Sequence, residues 1–478
     1  MIDPMVWLIV LPLAWACFAF LLGPGRGARP AIAGLAVQLL LALQLAAGLN
    51  DSGAGAHAIG GWGAPLGIDL AADGLSVAML LLTQVVVLPL AIYARTYFAS
   101  YAAEARYFWP LAGFLIAGLN ALFLSADLFN LYVTLELVGL AAVGLVAAGG
   151  GAKQITAALR YLFATLLGSG AYLLGVALIY GAYGTVSIPT LLPLVTAEAP
   201  DVVRLAGGLM LAGLMLKTAL FPFHFWLPPA HGGAPAPVSA LLSALVVKAS
   251  FYLILRLWLG PFAPLAGIIA WLPALLGAAA IFWGSYQAIC ARRIKMLVAY
   301  STVAQLGYLF LIFPLLPTEG ALQAGIMQAY AHGLAKAAMF AAAGVLIEAT
   351  GQDTVEGLAG AAQQLPLTLF AFGLAGITLM GLPPSAGFLA KWQLIEAALA
   401  QGHWIIAVAA LAGGLLAAVY VFRVLRQAFL LAPVGDVRPV PRMLEWMALL
   451  LAAASVLLGL RGVELMQLLG VPAMGGAS

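Results

Sequence analysis

Charged residues are scarce in this chain of 478 residues. Asp, Glu, Lys and Arg make up only 8% of the sequence, and hydrophobic residues make up 64%. An ordinary soluble protein carries roughly 25% charged residues. So few charges cannot cover the water-exposed surface of a soluble protein of this length. The composition therefore predicts an integral membrane protein and excludes a soluble enzyme, a nucleic-acid-binding protein and a disordered chain.

Cysteine is also rare, and the motifs of cofactor binding are missing. Cys17 and Cys290 both lie in apolar runs, where we expect them to be small core residues rather than disulfide or metal ligands. The five histidines are not spaced as a metal site, and there is no glycine-rich nucleotide loop and no CxxC pair. We expect no metal, no cofactor and no catalytic or redox residue on this chain.

What the sequence does contain is a series of apolar runs, each about 20 residues long, the length that spans a bilayer as a helix. They predict an all-α integral membrane protein with about 14 transmembrane helices and short connections. The predicted spans are 4–22, 31–49, 72–94, 107–126, 128–149, 157–180, 203–221, 236–258, 264–288, 296–316, 320–348, 366–400, 403–425 and 444–465.

The positive charges support this count and give an orientation. With 14 spans both termini lie on one side, and cytoplasmic loops are the ones enriched in Lys and Arg. If the termini are outside, the inner loops hold 13 of the 20 basic residues and the outer loops hold Arg204, Arg256 and Arg461. We therefore predict a multi-pass protein of the cell (inner) membrane with both termini on the periplasmic side.

Proline interrupts two of the spans. Pro222 follows the seventh run, and Pro383 and Pro384 lie inside the twelfth, where the missing backbone donors should break the helix. Spans seven and twelve are five apart and so run in opposite directions, which is typical of inverted repeats in transporters. The predicted organisation has three N-terminal helices, two inverted five-helix repeats (spans 4–8 and 9–13) and a last helix. The corresponding residues are 1–106, 107–258, 259–430 and 431–478.

Five ionisable residues fall well inside apolar runs, and each costs about 2.5–3.5 kcal/mol or more to insert at the centre of a bilayer. They are Glu136, Lys217, Lys248, Lys336 and Lys391. Two interpretations remain open: ion pairs that join helices, or a relay that carries protons or cations. Burial disfavours a charged lysine and a nearby carboxylate favours it, so a buried lysine beside Glu136 could take up and release a proton.

The histidines extend the relay hypothesis. His332 and Lys336 are four residues apart, on one face of a helix, which would make a short step for a proton; the alternative is a packing histidine beside an unrelated lysine. His224 and His231 fall in FPFHFWLPPAHGG, predicted to be an inner loop. They could admit protons from the cytoplasm, although His224 could equally bond the loop backbone.

Several segments resemble the antiporter-like membrane subunits of respiratory complex I, Mrp-type sodium/proton antiporters and membrane-bound hydrogenases. The similar region covers roughly residues 70–430. The segments are LYVTLELVGL (131–140), LKTALFPFHFWLPPAHGGAPAPVSALLSALVVKASFYLILR (216–256), RRIKMLVAYSTVAQLGY (292–308), AHGLAKAAMF (331–340) and GLPPSAGFLAKW (381–392).

The resemblance implies a 14-helix fold with two inverted half-channels. It also implies roles for individual residues. Glu136 corresponds to the family's fifth-helix glutamate, Lys217 and Lys248 to its lysines of helices seven and eight, and Lys391 to the terminal lysine of the broken twelfth helix. His332 and Lys336 correspond to its eleventh-helix positions.

The first functional hypothesis is therefore a subunit that moves protons, or a cation against protons, inside a multisubunit complex. It is most like the D-type subunit of the Mrp antiporters or an antiporter-like subunit of complex I. The expected partners are other membrane subunits and the lipid bilayer. The expected ions are protons, with sodium as a second candidate, and we expect no nucleic acid as a partner. The alternatives are a subunit of an NADH:quinone oxidoreductase or hydrogenase, and a proton-conducting partner of a peripheral carbonate-handling protein.

Overall fold

The computed structural model describes residues 3–431 and 437–470, which form one bundle of helices. We number the helices by membrane crossing, with two of them in halves. They are α1 (Pro4–Leu22), α2 (Ala28–Ser52), α3 (Gly74–Tyr97), α4 (Ala102–Leu124), α5 (Leu128–Ala147), α6 (Ala152–Tyr183), α7a (Asp201–Thr218), α7b (Leu227–Gly233), α8 (Ala236–Leu259), α9 (Trp271–Cys290), α10 (Ile294–Phe310), α11 (Glu319–Thr350), α12a (Pro366–Met380), α12b (Ala386–Ala400), α13 (Trp404–Ala428), α14 (Arg442–Leu460) and α15 (Gly462–Leu469).

The predicted helical membrane fold is confirmed. Within the described ranges, 13 segments are long and apolar enough to cross a membrane, and they include α7 as one segment, Asp201–Gly233. The fourteenth crossing is α12, whose two halves have 15 residues each and are individually too short. Proline and glycine at the break explain the difference, because the apolar run is continuous while the helix is not.

The connection between the second and third spans contains a small antiparallel hairpin, β1 (Gly55–Ala58) and β2 (Asp69–Ala72). Two details of the prediction are wrong. The ninth span begins at Trp271 rather than at 264, because the preceding residues form two short 3-10 turns. Cys17 and Cys290 are exposed on the outside of the bundle rather than buried in its core, since lipid accepts apolar side chains as well as a core does.

The connecting loops gather at two opposite faces, as the predicted helix count requires. On the face that carries the N-terminus, Asp3 pairs with His57, and the backbone N–H of Leu128 donates to the carbonyl of Val186. On the opposite face, Arg293 pairs with Asp353 and Gln154 donates to the carbonyl of Gly233. Every one of these bonds joins loops or helix ends that an alternating path through 14 crossings places on the same side.

Helices α7 and α12 are broken at equivalent points, each being the fourth helix of its group of five. Helix α7a ends at Thr218, and the next residue, Ala219, adopts a left-handed conformation with φ 58°. Helix α12a ends just before Gly381, whose φ is 83°, and the side chain of Ser385 caps α12b. The two helices begin at opposite faces of the bundle, so the two groups run in inverted directions.

Burial divides the helices into a centre and a rim. The most apolar 18-residue window of α8 is 100% buried, and those of α10 and α11 are 89% and 83% buried, whereas α1, α2 and α14 reach only 28–33%. A helix that is enclosed by other helices does not need an apolar surface all round. The polar groups predicted for the membrane interior lie on or beside these enclosed helices.

Candidate functional site

Glu136 and Lys217 form an ion pair between α5 and the last turn of α7a. Lys217 Nζ lies 2.9 Å from Glu136 Oε1, and the two side chains are 16% (Glu136) and 5% (Lys217) exposed. Small residues leave space for the lysine: a Cβ on Gly168 would lie 2.9 Å from Lys217 Cγ. The C-terminal end of a helix favours a positive charge, so α7a itself supports the protonated lysine.

Lys248 is fully buried in α8, two residues after a stretch of π-helix (Leu242–Val246). Its Nζ donates a hydrogen bond to the main-chain carbonyl of Ser243. A π-turn widens the helix and changes the pairing of its carbonyls, and such turns are frequent at functional sites. Nothing in the composition of the VSALLSALVVK segment predicts this local geometry.

Lys336 is also fully buried, on α11, and it bonds to α10. Its Nζ donates to Ser301 Oγ and, over 3.0 Å, to the carbonyl of Val298. His332 lies one turn earlier and is equally buried, and both of its ring nitrogens lack a hydrogen-bond partner among the described protein atoms. The two residues share a helix face as predicted, but no direct hydrogen bond joins them.

Lys391 on α12b reaches back across the break to α12a. Its Nζ donates to the carbonyls of Leu379 (2.6 Å) and Met380 (3.0 Å) and lies 4.5 Å from the centre of the Tyr308 ring. These carbonyls end α12a, where the helix dipole attracts a cation. The break thus creates the binding site of the lysine, since an intact helix would use these carbonyls itself.

Polar side chains of α10 connect these groups, and the sequence reasoning did not single them out. Thr302 Oγ1 lies 2.9 Å from Ser243 Oγ, beside the Lys248 acceptor, while its neighbour Ser301 bonds to Lys336. Gln305 donates to the Leu379 carbonyl that also binds Lys391. Spacing could have found Ser301 and Gln305, because they lie four residues apart on one face of α10.

The Glu136–Lys217 pair is connected to α8 through a second contact between helices. Thr218, which follows Lys217, donates to Ser250 Oγ over 2.9 Å, and Ser250 lies two residues beyond Lys248 on α8. Glu136, all four predicted lysines and His332 are thus buried or nearly buried on α5, α7, α8, α11 and α12, and α10 bonds to three of these helices. We call this set of residues the buried row.

Residues 221–233 were predicted to form an inner loop, and this prediction is wrong because most of them are helical. Residues 223–226 form a 3-10 turn, and Pro228 and Pro229 open α7b, where proline is tolerated because the first turn needs no backbone donor. His224 lies at the break and accepts a hydrogen bond from Trp283 Nε1 over 3.1 Å. His231 is fully buried and stacks on Phe340, with neither ring nitrogen bonded to the described protein.

The donor set of the row suits protons and small cations. Across residues 3–431 and 437–470, no three His, Cys, Asp or Glu side chains are grouped so that they could hold a metal ion. The site is instead built from amines, one carboxylate, one imidazole, hydroxyls, an amide and main-chain carbonyls. These groups can exchange protons or coordinate a small cation, and they define a polytopic membrane protein with an ionisable row across its centre.

Comparisons with known proteins place this arrangement in a family. Residues 125–417 match the family model described as NADH:quinone oxidoreductase/Mrp antiporter, TM. The chain is 37% identical to the N subunit of the NADH-quinone oxidoreductase of Desulforudis audaxviator, over 78% of its own length and 75% of that protein. It is 31% identical to the D subunit of the Na(+)/H(+) antiporter of Alkalihalophilus pseudofirmus, over 88% and 86% of the two chains.

A solved structure agrees with these relatives. The fold matches a chain of the Mrp complex from a Dietzia species with a TM-score of 0.90 and 28% identity, covering 98% of this chain and 96% of that one. The protein belongs to the NADH:quinone oxidoreductase/Mrp antiporter membrane family.

Proposed function

We propose that the protein is the proton-translocating membrane subunit of a multisubunit complex and that protons move along the buried row. The row would run from Glu136 and Lys217 through Lys248, His332 and Lys336 to Lys391. The observation that carries this proposal is the position of α10, whose Ser301, Thr302 and Gln305 link three lysines on three other helices. Lysines placed only to hold helices together would need no such connection to one another.

The chemistry of the row suits a relay better than a set of structural ion pairs. Glu136 pairs with Lys217, but Lys248, Lys336 and Lys391 bond only to hydroxyls and main-chain carbonyls of the described chain. Burial opposes the charge of an amine that has no counter-ion, so such an amine gives up its proton more readily than one in water. A proton added at one end would then shift its neighbours along the row.

The relatives suggest the ions and partners. One is named as part of an Na(+)/H(+) antiporter and another as part of an NADH-quinone oxidoreductase. We propose that this chain likewise works beside other membrane subunits and couples proton movement to a cation or to a redox reaction elsewhere. His224 and His231, at the break and on α7b, are proposed points of proton access, and Pro222, Pro383 and Pro384 keep both breaks open.

Orientation and organisation follow from the same pattern. We propose that the face carrying the N-terminus is the periplasmic face of the cell membrane, since the opposite face carries the 13 basic loop residues. Residues 107–258 and 259–430 would be the two inverted transport units. Residues 1–106 and 431–478 would form the helices that flank them.

The proposal is tested with the assembled complex in membrane vesicles. Pulses of sodium, potassium or NADH are given separately, and the internal pH is followed with a fluorescent dye. We expect Lys217→Ala and Glu136→Ala each to abolish the pH change while leaving the complex assembled. The pulse that works in the wild type identifies the coupled ion or reaction.

Lys153→Ala is the matched control, because it removes an exposed lysine at the end of α6, away from the row. It should transport at the wild-type rate. Normal transport by assembled Lys217→Ala and Glu136→Ala complexes would refute the relay.

A further inference from the structure

Helix α8 carries a second row of polar side chains, which points from Lys248 towards the outer face. Lys248, Tyr252 and Arg256 are spaced at intervals of four residues, so they lie on one helix face and Arg256 lies about 12 Å beyond Lys248. All three side chains are at least largely buried, and that of Arg256 is 15% exposed. This is a direct line between the centre of the relay and the outer solution.

Arg256 and Tyr252 are bonded to each other and to groups beside this line, whereas Lys248 bonds to the Ser243 carbonyl. Arg256 donates from both terminal nitrogens to the two carboxylate oxygens of Asp73, at 2.8 Å for Nη2 to Oδ1. It also donates to Tyr252 Oη from Nε (3.2 Å) and Nη2 (2.8 Å). The Tyr252 hydroxyl in turn donates to the main-chain carbonyl of Phe123 over 2.7 Å.

The partner Asp73 is held as firmly as Arg256. It is the N-cap of α3, where its Oδ1 accepts from the backbone N–H of Ser76 over 2.8 Å, and Ser76 Oγ accepts from the Asp73 N–H. Burial alone would raise the pKa of the Asp73 carboxyl, but the guanidinium of Arg256 and these bonds hold that pKa below its usual value. Asp73 therefore stays ionised and accepts no proton at ordinary pH.

None of the three groups can pass a proton on. An arginine keeps its proton in proteins, the Asp73 oxygens are already accepting, and the Tyr252 hydrogen is committed to a main-chain carbonyl. We infer that Arg256, clamped by Asp73 and Tyr252, insulates Lys248 from the outer solution. Lys248 can then exchange protons only along the relay. This inference rests on the proposed function, because insulation matters only if Lys248 carries protons.

Opening this clamp, the contacts of Arg256 with Asp73 and Tyr252, would connect Lys248 with the outer solution. Without the guanidinium, the Asp73 carboxylate would be free to take up protons from outside. Tyr252 would lose its donor and could hydrogen-bond towards Lys248 or Asp73. The clamp thus prevents a leak that would short-circuit the gradient the complex builds or uses.

The test measures passive proton leak in proteoliposomes that contain the assembled complex, with no driving substrate. A potassium diffusion potential with valinomycin drives protons, and an internal pH dye reports their flow. We expect Arg256→Met to raise the leak at least fivefold over the wild type. Arg256→Gln, which is neutral but still polar, is measured in parallel so that the result does not depend on one variant folding.

Two double variants show whether the leak takes the inferred path. Asp73→Asn keeps an N-cap but removes the proton acceptor, and Lys248→Ala removes the next group inwards. Each, combined with Arg256→Met or Arg256→Gln, should return the leak to the wild-type level. A leak that persists in both double variants would show another route and overturn the inference.

Arg204→Met is the matched control, because Arg204 pairs with Asp201 at the same face but in an exposed position, 52% and 97% exposed. It should leave the leak unchanged. If assembled Arg256 variants lose thermal stability but stay as tight as the wild type, the clamp is only a link between α3 and α8 and the inference fails. Driven transport in Lys217→Ala separately decides the proposed function, so the two can fail independently.

Discussion

Gln305 and Lys391 donate hydrogen bonds to the same main-chain oxygen, that of Leu379. The amide of Gln305 lies 3.0 Å from it and the ammonium of Lys391 lies 2.6 Å from it. Gln305 also accepts from the Gln328 amide on α11 over 3.0 Å. One glutamine of α10 thus connects α11 with the last lysine of the row, at the point where α12 is broken.

We expect Gln305→Leu to reduce driven transport by about tenfold without loss of the assembled complex. Leucine fills a similar volume but removes the amide that shares the Leu379 carbonyl with Lys391. It also removes the 3.0 Å acceptor of the buried Gln328 amide, and losing a buried hydrogen-bond partner costs about 1–3 kcal/mol. The transport rate in vesicles and the yield of assembled complex are measured together.

Gln38→Leu is the matched control for this change. Gln38 is fully buried on α2, and neither polar atom of its side chain has a hydrogen-bond partner within the described part of the chain. Its replacement should leave transport unchanged and should not lower stability. Equal transport in the two variants would mean that Gln305 has no part in the relay.

Gly381 is the residue that allows Lys391 to reach the end of α12a. Its φ is 83°, and a Cβ added there would lie 2.6 Å from Lys391 Cδ. We expect Gly381→Ala to push Lys391 away from the Leu379 and Met380 carbonyls and to reduce transport strongly. The left-handed conformation should add about 1–2 kcal/mol of strain, which lowers the thermal midpoint of the complex.

Gly402→Ala separates the two effects, since Gly402 has a φ of 75° but open space around its Cβ position. It should show the same order of strain and normal transport. If Gly381→Ala loses no more transport than Gly402→Ala, then the contact with Lys391 is not what the glycine provides.

Trp226 stabilises the break in α7. Its ring stacks on Tyr161 with 4.2 Å between ring centres, and its Nε1 donates to the Leu216 carbonyl over 3.0 Å. We expect Trp226→Phe to cost about 1–3 kcal/mol, because it leaves the buried carbonyl without its donor. Thermal unfolding of the purified complex measures this as a lower midpoint.

Trp392→Phe offers the comparison, because Trp392 is 56% exposed on the outside of the bundle. It should leave the midpoint nearly unchanged. Similar midpoints for both variants would show that the hydrogen bond to Leu216 does not support the broken helix.

The amino-acid sequence by itself determined the membrane fold, the number of crossings and the position of both breaks. These features depend on local properties of the chain. The length of an apolar run decides whether it spans the bilayer, proline breaks a helix, and Lys and Arg in the loops set the orientation. The same reasoning found the ionisable residues, because Lys217 or Lys391 in an apolar run is conspicuous whatever surrounds it. It also predicted that His332 and Lys336 share a face, which depends only on helix geometry.

Only the tertiary structure decided which groups meet. The contacts of Lys336 with Ser301, of Gln305 with the Leu379 carbonyl and of Arg256 with Asp73 join residues 35, 74 and 183 positions apart. The direction of a side chain between packed helices depends on crossing angles and on small residues at the contacts, which no local pattern encodes. For the same reason the prediction of a loop at 221–233 was wrong. Proline can end one helix or begin another, and here the packing of α7b against α6 and α10 stabilises a new helix.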